Sequence, residues 1–127
     1  MRNQIKFTFQ IGYPVQSLAF EHSIASAASR ICGGCTTSTA IGWWCEDGDE
    51  RKERFTAPAA SEHTFQLELT CEAVKAENAY QEMCQSIADI VAAHGIATNW
   101  VHVSETEMRG RHFSVDAINA AKAVAAQ

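Results

Sequence analysis

Two short runs constrain the fold more than anything else in the chain. Ile5-Lys6-Phe7-Thr8-Phe9-Gln10-Ile11 and the segment from His63 to Glu72 both alternate apolar and polar residues with a period of two. Successive side chains of a strand point to opposite faces, so each run buries one face and wets the other. The first predicts a strand with Ile5, Phe7, Phe9 and Ile11 towards the core. The second predicts one with Phe65, Leu67, Leu69 and Cys71 on that side. Strands of this kind belong to an antiparallel sheet covered on one face only.

Two segments supply the cover. Ser17 is placed to cap a helix in which Phe20, Ile24, Ala27, Ala28 and Ile31 recur at spacings of three and four, and Gly33 and Gly34 end it. Asn78 and Gln81 resemble a capping box ahead of a second helix. Its apolar face is Tyr80, Met83, Cys84, Ile87, Ile90, Val91 and His94, and Gly95 closes it. Between the helices, Thr36 to Glu46 reads as a strand rich in Thr, Ile and Trp. Asp47-Gly48 predicts a tight turn, with Glu50 to Thr56 returning as a short strand and Ala57 to Ser61 as a loop. Asn99 to Ser104 is a further strand, and Arg109-Gly110 predicts a turn into His112 to Val115. Asp116 can cap a last helix through about Ala126. Its apolar face (Ile118, Ala121, Val124, Ala125) is thin, which suits a helix on the domain edge or on a neighbouring subunit.

The resulting order is β-α-β-β-β-α-β-β-α. Merging the interrupted strands gives the α+β class in a specific form: a ferredoxin-like split βαβ sandwich with an extra hairpin and a C-terminal helix. A chain of 127 residues is expected to form one domain over 1–127 with a real core.

The run Gly33-Gly34-Cys35-Thr36, then Gly42-Trp43 and Gly48, resembles a pattern of small ferredoxin-like proteins of unassigned function. The same architecture is similar to PII-like sensor proteins. That resemblance implies binding of a small metabolite or nucleotide between subunits. Cys35 stands where the pattern expects an aromatic residue, and no PII ligand motif maps onto the chain.

The net charge of −5 argues against a nucleic-acid partner, whose phosphates are met by Lys and Arg. The compact basic cluster Arg51, Lys52, Arg54 is interleaved with acids and reads as a solvated hairpin. No apolar run reaches the ~20 residues of a membrane span, and no signal-peptide core follows Met1, so no membrane partner is expected. Five cysteines, an odd number, fit reduced thiols and a cytoplasmic location better than a disulfide scaffold.

Cys32-Gly33-Gly34-Cys35 has metal-ligand spacing, so Cys32 and Cys35 are candidate metal ligands or a thiol pair. Against redox use, the pair closes a helix, where the dipole disfavours a thiolate, rather than opening one. The bland role is a glycine turn beside a packed cysteine. His102-Val103-Ser104 matches half of a two-histidine phosphoesterase signature, but His63-Thr64-Phe65 places its Thr one position early. There is no Walker motif, no Gly-x-Ser-x-Gly and no His-Glu-x₂-His, and no cofactor is expected.

Adjacent Trp43 and Trp44 must face opposite sides of a strand. One is expected in the core and the other on the wet face, while Trp100 and His102 share a face of their own strand. Trp43, Trp44, Trp100 and His102 are therefore the candidate ligand-binding or interface residues. The expected function is a non-enzymatic, self-associating module, a homo-oligomer that binds a small molecule or protein. The alternatives are a metal- or thiol-dependent protein using Cys32 and Cys35, and a small ferredoxin-like enzyme.

Overall fold

The computed structural model describes residues 2–127. The order is β1 (Arg2–Tyr13), α1 (Leu18–Cys32), β2 (Thr36–Cys45), β3 (Ala59–Glu72), α2 (Ala76–His94), β4 (Val101–Gly110) and α3 (Val115–Ala125). The strands form one four-stranded antiparallel sheet in the order β2-β3-β1-β4. β1 and α1 lead to β2 with β3 between them, which is the split βαβ connection.

The period-two alternation does what it predicts. Phe7, Phe9, Ile11 and Tyr13 on β1 and Phe65, Leu67 and Leu69 on β3 are buried under Phe20, Ile24 and Ala28 of α1 and Met83 and Ile87 of α2. Phe9 pairs with Leu67 on one side and Val103 on the other, so the central strand carries the centre of the core. Each such side chain contributes roughly 1.5–3 kcal/mol by leaving water. Rings add orientation: Tyr13 meets Phe20 edge-on at 5.1 Å and Phe7 stacks on Tyr80 at 5.6 Å.

The helix ends follow sequence in most places. The Ser17 hydroxyl accepts from the Phe20 N–H, and Gly33 ends α1 with φ 84°, a left-handed conformation that suits glycine. Gly95 ends α2 likewise at φ 61°. The capping box at Asn78 is not used. A 3-10 turn at Ala73–Lys75 runs directly into α2 at Ala76, and Gln81 bonds instead to the Glu77 carboxylate. α3 is capped by Ser114, which accepts from the Ala117 N–H, and Asp116 lies inside its first turn.

Two predicted strands are absent, so the extra hairpin is not formed. Residues 50–56 carry no strand. Asp47 Oδ2 accepts from the backbone N–H groups of Thr56 (2.9 Å) and Ala57 (3.3 Å), donors a ladder could otherwise use, and pairs with the Lys52 ammonium (2.6 Å). The mixed-charge run also has no apolar face to bury. β2 pairs instead with β3, which begins at Ala59, inside the expected loop. At the other end, Arg109-Gly110 is not a turn. β4 runs straight through it, with Gly110 opposite Arg2. The Gln4 carboxamide of β1 lies over Gly110 and would have to swing aside for a β-carbon there. Residues 111–114 link β4 to α3 without a strand, and no α3 residue is buried.

Candidate functional site

With α1 and α2 on one face, the other face of the sheet lies open. Paired residues share a face, so the register places Ser38, Ala40, Gly42 and Trp44 of β2 on the open side. Beside them stand Ala60, Glu62, Thr64 and Gln66 of β3, Gln10 and Gly12 of β1, and His102 of β4. The glycines let side chains cross the surface. Glu62 lies over Gly12, and a β-carbon at Gly42 would stand 2.5 Å from the Thr64 hydroxyl. The result is a low, polar floor with bulk at its corners.

Trp43 and Trp44 stand at one end of this sheet, beyond the last residue of β1, whereas His102 stands near its middle, level with Ser38, six residues along β2 from Trp44. Trp44 pairs with Ala60 on the β2 edge, and His102 pairs with Gln10 on the β4 edge. Trp100 immediately precedes β4. The edges lie three strand spacings apart, about 14 Å. Trp44 is 46% exposed and Trp100 72%. Trp43 does not enter the core: it has the parity of the helix side, opposite Ser61, but is 72% exposed. Ile41, opposite His63, is 71% exposed. β2 therefore displays apolar side chains to both sides.

The helix side of the same end holds a buried polar cluster that the sequence reading overlooked. Glu21 is 7% exposed. One of its oxygens accepts from the Tyr13 hydroxyl and lies 2.7 Å from His63 Nε2. Gln16 donates to the other at 3.2 Å. Burial pushes the Glu21 carboxyl upwards, but the hydrogen bonds from Tyr13, His63 and Gln16 outweigh it and hold the pKa below 4.5. Tyr13 is pushed up to about 12, by burial first and by the Glu21 carboxylate second. The Ser17 N–H also donates to the Tyr13 oxygen at 3.1 Å, joining the end of β1 to the cap of α1. The cluster thus pins β1, α1 and β3 together beside β2. The available signal was Glu21 itself, three residues before Ile24 and seven before Ala28, inside the apolar stripe of α1.

His63 and His102 lie on opposite faces of the sheet, so they do not form a two-histidine pair. The five thiols are free. Cys32 is pushed up to about 11 by burial, reinforced by the neighbouring Cys71. Cys35 faces back onto α1, its Sγ 3.6 Å from the Ala25 carbonyl. Among the described residues, no three His, Cys, Asp or Glu side chains are gathered as a metal site requires. Among them, too, no helix is long and apolar enough to cross a membrane.

No protein-family model and no curated protein matches the chain. Solved structures do. CutA from Synechococcus elongatus is 9% identical with a TM-score of 0.54, over 85% of this chain and 79% of its own. CutA1 from a psychrotrophic Shewanella is 9% identical with a TM-score of 0.53, over 92% of each chain. GlnK from B. subtilis is 9% identical with a TM-score of 0.51, over 82% of this chain and 85% of its own. At such identity the likeness is one of fold: the chain is built on the ferredoxin-like, PII-like architecture of CutA and GlnK.

Proposed function

We propose that this chain is a non-enzymatic module that self-associates through its sheet and binds a small ligand or protein partner on the open face. One observation carries the reading. β2 is an edge strand of ten residues, Thr36 to Cys45, with no charged residue and no proline, and it exposes Ile41, Trp43 and Trp44. Edge strands that stay alone are normally guarded by charge, proline or a bulge. An unguarded edge with large apolar side chains is suited to pairing with another strand. Tryptophan supplies large contact area there, and its indole N–H keeps a polar handle.

The open face next to that edge suits a ligand. The glycines and alanines keep the floor low, while Glu62, Thr64, Gln10 and His102 offer donors and acceptors. The resemblance to PII-like sensors, which hold small molecules between subunits, supports the same reading.

Native mass spectrometry on protein purified without chelator tests it, before and after denaturation. An oligomer carrying a stoichiometric extra mass is expected, with that mass lost in Trp44→Ala/Trp100→Ala. A bare monomer at micromolar concentration would overturn the proposal.

A further inference from the structure

One group on the open face is left without an answering charge. Glu62 is half-buried, and among the described residues its carboxylate has neither a hydrogen bond nor an ion pair. The side chain does not stand away from the sheet. It lies across the floor, with Oε1 close to where a β-carbon at Gly12 would be. Gly42, opposite Glu62 on β2, adds no side chain beside it. The chain's own cations are elsewhere. Lys6 shares the open face of β1 but stands six residues from Gly12, about 20 Å along the strand. Lys52 is engaged by Asp47 and Glu50.

An aromatic ring rises next to this carboxylate. Ile11 pairs with Val101, so one further step of the same register sets Trp100 opposite Gly12. Neighbouring strands lie about 4.8 Å apart, which roots Trp100 beside the space that the Glu62 carboxylate fills. Alternation gives Trp100 the face of His102, the open one, and the ring is exposed. A carboxylate and the face of an indole attract the same kind of group, the first by charge and the second through its ring quadrupole. A metal ion calls for several oxygen or nitrogen donors, which are not gathered among the described residues. An anion is repelled both by Glu62 and by the net charge of −5. An alkylated ammonium suits both groups, because its charge is spread over carbons that can lie against a ring.

We infer that Glu62 and Trp100 form a binding site for a small organic cation of the alkylammonium class. Its charge is held at the carboxylate, and its alkyl groups lie against the indole over the bare backbone of Gly12. Gln10 and His102, the next pair along on this face, can meet a hydroxyl or carbonyl of the same ligand. The inference rests on the open face being the ligand surface, and it names the chemistry of the ligand.

Choline is the probe, and its uncharged carbon isostere, dimethylbutanol, is the control. Binding to the full chain is followed by ligand-observed NMR at fixed ionic strength, with circular dichroism to check the fold of each variant. Choline is expected to bind about tenfold more tightly than the alcohol. Glu62→Gln, which keeps the size of the side chain, should abolish that preference. Trp100→Ala should weaken choline about tenfold, and Trp100→Phe should restore most of the loss. Equal binding of the two probes, or a preference for choline that survives Glu62→Gln, would overturn the inference while leaving the open face as a ligand surface of another chemistry. Binding of neither probe would overturn it as well. The co-purified mass in the native spectrum then decides separately whether the open-face reading stands.

Discussion

The two edges of the sheet are equal in length and opposite in character. β2 and β4 each have ten residues. β4 carries Glu105, Glu107 and Arg109, so a strand docking along it would meet and desolvate charges. β2 carries no charge at all and presents Ile41, Trp43 and Trp44. Beneath the β2 end lies the buried Glu21 cluster, while beside β4 the helix layer leaves an apolar groove. One edge is thus firmly backed and open to pairing. The other is guarded along its strand and open only on its helix side.

The largest expected effect tests the backing. Glu21→Ala leaves Tyr13 and His63 without their shared acceptor. It should destabilise the fold by about 2–3 kcal/mol, the scale of hydrogen bonds to a buried charge, as read by urea denaturation. The same cluster sets a pH dependence. The folded pKa of Glu21 lies below that of an ordinary glutamate, so its contribution is fully present above the ordinary value. It is lost as pH falls through the folded value, when the carboxyl gains a proton. Glu21→Gln should flatten the acid limb of a stability–pH profile. An unchanged acid limb would mean that the cluster contributes little.

The next effect tests the open edge. Ile41→Lys should weaken self-association roughly a hundredfold, about 2.7 kcal/mol, by forcing a charge into the pairing strand. Analytical ultracentrifugation measures it. Trp44→Ala should cost about 1–2 kcal/mol of association, as lost aromatic contact. The smallest effect is expected at the guarded edge, where Thr106→Lys on β4 should change association by less than about 0.5 kcal/mol. Equal responses at Ile41 and Thr106 would erase the contrast between the edges.

Much of this fold is legible because its central strands have a dry and a wet face. β1 and β3 declare themselves by alternation, and α1 by Ser17 at its start and the left-handed Gly33 at its end. The readings that fail are those resting on turn residues alone. Asp47-Gly48 does turn the chain, but the Asp47 carboxylate then holds a loop in place of a strand. Gly110 stays in β4, with the Gln4 side chain of β1 lying over it, and turns nothing. The tryptophan pair shows the limit of parity. Alternation assigns each ring a side, yet it cannot say that β2 lies at an edge, where neither side offers a core. The Glu21 cluster is hidden for another reason. A glutamate in a helix is ordinarily a surface residue, and its partners come from residues 13 and 63 on two other elements.

The placement of β1 also has a consequence for synthesis. It is made first, yet both of its neighbours come late: Phe9 pairs with Leu67 and then with Val103. At roughly 5–20 residues per second, translation needs about 3–12 s to reach Leu67 after Phe9. Through that interval the nascent chain carries Phe7, Phe9 and Ile11 with no strand to receive them. The strand that organises the finished sheet is therefore the one most exposed to chaperones and to aggregation while the protein is being made.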